Sequence, residues 1–170
     1  INRSSDNVGL FGYVTNGLIK GINIEGISVK GNNYVGGVVG YSIDGIIKEI
    51  SISGNIIASG KYAGGITGSA NTATQFISVL LNTNVTAYTY VGGVFGQGGS
   101  SKTSIVLETG TITETGTGQG YRGKISYYSY DGKAYVSNQV KILPSANGYS
   151  GTSYTLNEKM LNGYDGALDT

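Results

Sequence analysis

A repeat with a period of about 28 residues constrains the fold of this chain more than any other feature of its sequence. The segment YVGGVVGY at Tyr34–Tyr41 recurs as YAGGITGS at Tyr62–Ser69 and as YVGGVFGQ at Tyr90–Gln97, and a shorter form, VGLFGY, stands at Val8–Tyr13. A period without insertions indicates that each copy forms one structural unit that packs on the next. One glycine of the motif recurs at the same interval in all four copies, at Gly12, Gly40, Gly68 and Gly96.

Between the copies of this motif, apolar and polar residues alternate, which is typical of strands with one buried face. The turn dipeptides Asn16-Gly17 and Asp44-Gly45 are one period apart, and Gly26 also has an equivalent one period later. We therefore predict three short strands in each period, each too short to bury its apolar face without a neighbouring copy. The alternating apolar residues of the first two periods are Ile22, Ile24, Ile27, Val29, Ile50, Ile52, Ile56 and Ile57.

A repeat of short strands can form a propeller or a parallel β-helix. Propeller blades have about 40 to 50 residues, so the period of this chain is short for a blade. In a β-helix each period is one coil, and equivalent residues stack about 4.8 Å apart. We therefore predict an all-β fold, a parallel β-helix or β-solenoid with coils of about 28 residues. This fold would align Tyr34, Tyr62 and Tyr90 in an aromatic ladder, and the glycines in a seam where backbones approach closely or adopt positive φ.

The composition excludes several classes of chemistry. The 170 residues contain no histidine and no cysteine, which excludes Ser-His-Asp and Cys-His catalytic sites, zinc sites built from imidazole or thiolate, and disulfides. Eleven Lys and Arg against ten Asp and Glu give a net charge of +1, so there is no basic surplus for nucleic acid. No apolar run approaches the roughly 18 residues of a membrane span. We therefore expect no cofactor, no metal, no nucleic-acid partner and no membrane insertion.

Motifs of phosphate-binding and catalytic sites are present only in incomplete form. Gly118, Gly120 and Gly123 match G-x-G-x-x-G, but the segment that follows is a strand sequence and not the helix that such sites require. A P-loop needs Ser or Thr after its lysine, and here Ile125 follows Lys124. The ten carboxylates are scattered and form no ladder, and no calcium-loop motif is present. The sequence therefore predicts no catalytic residues.

The motif at Tyr34–Tyr41 and its copies, together with the opening segment NVGLFGYVTNGLIKGINIEG, resembles the bacterial GLUG repeat. This repeat occurs in large surface and secreted bacterial proteins, such as filamentous-haemagglutinin-like adhesins and the non-catalytic regions of immunoglobulin A-cleaving surface metallopeptidases. The resemblance covers residues 1–120, about four coils, and implies an extracellular or cell-surface location. The repeat of this family has no catalytic residues, so the resemblance implies a segment that is not itself an enzyme, even where the parent protein is a peptidase.

Residues 121–170 form a second region, because the composition changes near residue 120 and eight of the fourteen tyrosines lie in Tyr121–Tyr164. Lys124–Leu143 fits two strands around a hairpin dipeptide at Asp131, or equally a fifth coil with a bulge. The capping-box pattern Thr155–Glu158 predicts one short helix, ended at Asn162. We interpret the region as a degenerate coil and a tyrosine-rich cap over the end of the solenoid.

Clustered tyrosines are also suited to stacking on sugars, because the ring is flat and amphipathic. The candidate ligand-binding residues of this second region are Tyr127, Tyr128, Tyr130 and Tyr135.

Two functions fit these observations. The first is a non-catalytic β-solenoid segment of a secreted or cell-surface bacterial protein, which acts as a stalk or spacer, or as an adhesive module for a host surface protein or glycan. The alternative is a carbohydrate-binding or polysaccharide-cleaving β-helix. The chain begins within a repeat at Ile1, so we expect its first coil to be covered by earlier coils in a longer parent protein. Isolated material should then associate end to end through the exposed ends of the solenoid.

Overall fold

The computed structural model describes residues 1–98, 103–117, 121–126, 133–143 and 152–155, and these residues form an all-β fold. Parallel strands stack coil on coil into a β-solenoid of about four turns with a spacing of about 28 residues, which confirms the predicted fold class. The described residues contain no helix, and so none that is long and apolar enough to cross a membrane. The strands are β1 (Phe11–Thr15), β2 (Leu18–Gly31), β3 (Val35–Gly36), β4 (Val39–Ile43), β5 (Ile46–Gly64), β6 (Thr67–Ala70), β7 (Gln75–Gly92), β8 (Phe95–Gly98), β9 (Thr103–Thr109), β10 (Thr111–Glu114), β11 (Arg122–Gly123), β12 (Lys133–Val136), β13 (Lys141–Leu143) and β14 (Thr152–Thr155).

One long strand and one shorter strand make up most of each regular coil. β5 has 19 residues and pairs with β2 on one side and β7 on the other, while β1, β4, β6 and β8 form a second sheet. The structure thus joins strands that the sequence predicts as separate short ones. They are joined because single residues with positive φ, such as Gly26 (67°) and Glu49 (56°), turn the chain while parallel pairing resumes on the far side of the turn.

Stacked residues of the three full copies of the glycine motif are 28 positions apart, while other parts of the coils depart from this spacing. Ile50 pairs with Val79, one position beyond the period, because the turn at 71–74 is one position longer than its equivalent in the preceding coil. The pairing returns to the period after Tyr88, which stands alone where the preceding coil has both Ser59 and Gly60. An insertion and a deletion therefore compensate each other within one coil, a pair that the regular glycine spacing conceals.

Columns of aliphatic side chains, stacked in register on successive coils, fill the interior. Ile52, Leu81 and Leu107 form one such column, and each of them is at most 1% exposed. Phe76 and Phe95 pack against each other with ring centroids 4.7 Å apart. Burial of one large apolar side chain stabilises a fold by about 1.5–3 kcal/mol, so these columns are a main source of the cohesion between coils.

The glycine seam predicted from the repeat is present, and its glycines are required for close approach. The amide N–H of Gly37 donates to the carbonyl oxygen of Gly65 (3.2 Å), and that of Gly65 donates to Gly93 (3.2 Å). A Cβ atom at Gly65 would lie 2.4 Å from the carbonyl oxygen of Gly93. None of the three has a positive φ, so the absence of a side chain, and not backbone freedom, is what these positions need.

The parallel ladders continue beyond residue 120. β11 pairs with β7, β12 pairs with β9, and β13 pairs with β10. β11, β12 and β13 therefore add to the preceding coil, while β14 pairs in parallel with β12, so these described strands form no hairpin. The short helix predicted after Thr155 lies outside the described residues, and Thr155 itself ends β14.

Candidate functional site

A ladder of tyrosines runs along one corner of the solenoid, as the repeat predicts. The ring centroids of Tyr34 and Tyr62 lie 4.9 Å apart, as do those of Tyr62 and Tyr90, with interplanar angles of 8° and 11°. Tyr121 adds a fourth rung, because its ring centroid lies 4.6 Å from that of Tyr90. The periodicity does not predict this rung, since the residue one period after Tyr90 is Gly118.

This corner holds the tyrosines in a backbone conformation that bulky residues rarely adopt. The φ angle is 54° at Tyr34, 64° at Tyr62 and 61° at Tyr90, all in the left-handed region. Each stacked pair contributes about 0.5–1.5 kcal/mol beyond its area burial, which offsets part of the backbone strain of about 1–3 kcal/mol per residue. Burial, followed by the neighbouring phenols of Tyr34 and Tyr90, raises the pKa of Tyr62.

A groove of about 290 Å³ lies beside the last rungs of the ladder. Three successive coils contribute to it, through Lys61 of β5, residues 88–90 of β7, and the next coil at residues 114, 116, 117 and 121. Since each coil supplies different residue types, the groove is not repeated along the solenoid. The side chains that give it its chemical character are Lys61, Tyr88, Tyr90, Glu114, Thr117 and Tyr121.

The most buried member of this lining is Glu114, which is 4% exposed. Its carboxylate accepts a hydrogen bond from the hydroxyl of Thr89 (2.9 Å) and forms an ion pair with the guanidinium of Arg122. In the two preceding coils the same column holds Ala58 and Ala87. The groove is therefore built where a small apolar residue of the repeat gives way to a charge, whose desolvation is offset by these bonds.

Tyr88 is an exposed member of the lining, at 53%. The amide N–H of Gly116 donates to the Tyr88 carbonyl (2.7 Å), and a Cβ atom at Gly116 would lie 3.2 Å from Cζ of the Tyr88 ring. The ring thus packs on backbone that carries no side chain. Across the groove, Nζ of Lys61 lies 5.7 Å from the ring centroid of Tyr90, within the range of a cation–π interaction.

Elsewhere, acidic side chains are used to join coils. Oδ1 of Asp6 accepts hydrogen bonds from the side-chain amides of Asn32 (2.9 Å) and Asn33 (3.0 Å), and the amide of Asn71 donates to Asp44 (2.6 Å). Within the described ranges, no three acidic side chains come together as a candidate metal site. We assign these carboxylates to the cohesion of the turns.

Of the four tyrosines predicted to form a sugar-stacking platform, Tyr127, Tyr128 and Tyr130 lie outside the described residues. Tyr135 is half-buried in β12, pairs in register with Val106 of β9, and does not line the groove. Tyr88 and Glu114 are not evident from the repeat because neither recurs with its period. The sequence signal that could have found them is a position at which the residue type of the repeat is replaced by a different one.

Comparisons with protein-family models, with curated proteins and with solved structures find no match to this chain. The resemblance of its motif to the GLUG repeat therefore remains an expectation from the sequence. Any assignment of function depends on the repeat, the solenoid and the groove.

Proposed function

We propose that this chain is a non-catalytic β-solenoid segment of a secreted or cell-surface bacterial protein, where it acts as a spacer or as an adhesive module. One observation carries the proposal: the rings of Tyr34, Tyr62 and Tyr90 stack at 4.9 Å over consecutive coils. Regular stacking of this kind is a property of a rod whose coils are held at fixed spacing. The resemblance to the GLUG repeat supports the extracellular location.

Stacking in register suits a spacer for a physical reason. Each coil contacts only its neighbours and adds about 4.8 Å of length, so the reach of the rod depends on the number of coils. Bending it requires the tyrosine ladder, the glycine seam or an aliphatic column to open on one side. The first coil exposes Phe11, Tyr13 and Leu18, which supports the expectation that coils associate end to end.

The engagement of two carboxylates, one in the groove and one in β9, favours a role without catalysis. Glycoside hydrolysis uses two carboxyl groups, one on each side of the scissile bond. The carboxylate of Glu114 is bound by Arg122 and Thr89, and that of Glu108 accepts a hydrogen bond from Asn82 (2.9 Å). Both carboxylates are therefore already engaged by side chains of the protein itself.

A carbohydrate-binding module is the second candidate, and the exposed ring of Tyr88 is the observation that favours it. The ring stands beside two further tyrosines of the groove, Tyr90 and Tyr121. The platform predicted from the sequence in the second region stays a separate prediction, which concerns Tyr127, Tyr128, Tyr130 and Tyr135.

Surface labelling tests the proposed location. Antibodies raised against the purified chain should label intact cells of the bacterium that encodes it, or detect it in the culture medium, while antibodies against a cytosolic enzyme should label only lysed cells. Labelling that requires lysis would contradict the proposal. Release of new reducing ends from polysaccharides by the purified chain would contradict the absence of catalysis.

A further inference from the structure

We propose that the groove between Lys61, Tyr88 and Tyr121 binds a carboxylate-bearing sugar, such as a uronic acid residue within a polysaccharide. A spacer needs no ligand, so this inference goes beyond the spacer role and gives the adhesive form of the proposed function a ligand class. Three properties of the groove lead to it: an aromatic ring that the repeat does not require, a cation that pairs with no carboxylate of the described residues, and a size that fits one sugar residue.

The solenoid does not require an aromatic ring at Tyr88. In the preceding coil the same corner is formed by Ser59 and Gly60. The aliphatic core is continuous in both coils, with Ser59 and Gly60 in one and with Tyr88 in the other. The Tyr88 ring is supported by the bare backbone of Gly116, while about half of its surface is open to solvent. A flat ring that is supported beneath and open above can stack on the C–H face of a sugar.

The lining of the groove also holds the positive charge of Lys61. Glu114 is committed to Arg122 and Thr89, with 1% of its side chain exposed. Among the described residues, no carboxylate forms an ion pair with the ammonium group of Lys61, which lies over the ring of Tyr90. An anionic group on the ligand would pair with this ammonium group through a charge-assisted hydrogen bond.

The size and polarity of the groove distinguish between classes of anionic ligand. Its volume of about 290 Å³ is at the lower end of the range for ligand sites, about 300–1,000 Å³, which suits one sugar residue of a longer chain. The hydroxyls of Thr117, Tyr88 and Tyr121 can bond the ring hydroxyls of a sugar. An acidic peptide would pair with the ammonium group but would leave the stacking ring without a flat partner.

Calorimetric titration with trigalacturonate and with its fully methyl-esterified form tests the inference, because the two ligands share their rings and differ in charge. We expect the acid to bind at least tenfold more tightly than the ester. Lys61→Gln should weaken binding of the acid about tenfold and leave the ester unchanged. Tyr88→Ala should weaken both ligands about tenfold, because it removes the stacking surface that they share.

Tyr13→Ala is the matched control, since Tyr13 is 55% exposed on β1, outside the lining of the groove, and its loss should leave both affinities unchanged. Thermal unfolding of each variant shows whether it remains folded. The inference is overturned if trigalacturonate gives no binding heat, if Lys61→Gln binds it as tightly as the parent chain, or if hexa-aspartate binds equally well. These outcomes do not alter surface labelling, so a failure of the ligand is distinguishable from a failure of the proposed location.

Discussion

In the column that runs through Ala58 and Ala87, the two regular coils bury a small methyl group, and the next coil buries the carboxylate of Glu114. The two alanines stack on each other in register. Glu114 depends instead on a partner within its own coil, Arg122, and on Thr89 of the coil before. The difference teaches that stacking alone maintains the regular coils, whereas a site of new chemistry must bring its own stabilising contacts.

The largest effect on stability should come from removing one member of the ion pair between Glu114 and Arg122. Glu114→Ala should lower the free energy of unfolding by about 3 kcal/mol, because it leaves the Arg122 guanidinium, 11% exposed, without this carboxylate. The double variant Glu114→Ala/Arg122→Val carries the residue types that the preceding coil has at Ala87 and Val91. Urea denaturation followed by circular dichroism should show that it recovers most of the loss. If the double variant is no more stable than Glu114→Ala alone, the residue types of the preceding coil are not sufficient to stabilise this coil.

A side chain added to the glycine seam should have the next largest effect on stability, since the backbones of the regular coils approach each other there. Gly65→Ala places a Cβ atom 2.4 Å from the Gly93 carbonyl oxygen, and moving the backbone apart should cost about 2 kcal/mol in the free energy of unfolding. Gly21→Asn is the control, because nothing lies within 4 Å of a Cβ there and its φ of 69° is one that Asn tolerates. The same denaturation experiment measures both. Equal stability of the Gly65→Ala variant and the parent chain would contradict the need for close approach.

The smallest effect concerns the tyrosine ladder in alkaline solution. Burial and the adjacent tyrosines raise the pKa of Tyr62 above its usual value of 10.0, so the folded state retains this proton after the unfolded state has lost it. The stability from this group is complete below that value and is lost as the pH rises through the raised pKa. The unfolding midpoint of the parent chain should therefore fall more between pH of about 9 and about 11 than that of Tyr62→Phe. Tyr13→Phe should follow the parent; an equal fall in all three would contradict the prediction.

Much of the fold was predictable because its determinants recur. The spacing of Gly37, Gly65 and Gly93 predicted both the coil and the seam, and the spacing of Tyr34 and its equivalents predicted the ladder. The continuous pairing around corners was not predictable, since it depends on positive φ at residues such as Glu49 and Ser78, which are not conformational signals in a sequence. The one-position insertion at 71–74 and the one-position deletion at Tyr88 were not evident, because together they leave the spacing of the motif unchanged.

The groove was not predictable, because its residues are those that do not repeat. Glu114 of β10 and Arg122 of β11 stand eight positions apart in the chain, and no pattern in the sequence indicates that their side chains are in contact. Tyr121 joins the ladder from a position off the period. A sequence shows such residues only as exceptions to a pattern, and exceptions indicate a site only when the fold places several of them together.

The glycine seam also determines how a gene for such a chain can change length. Because each coil meets its neighbour through the same contacts, duplication or loss of the codons of one period adds or removes one coil without creating a new kind of interface. Such events change the reach of the rod in steps of about 4.8 Å. The one-position insertion at 71–74 is accommodated differently, because the change at Tyr88 restores the register before the next glycine.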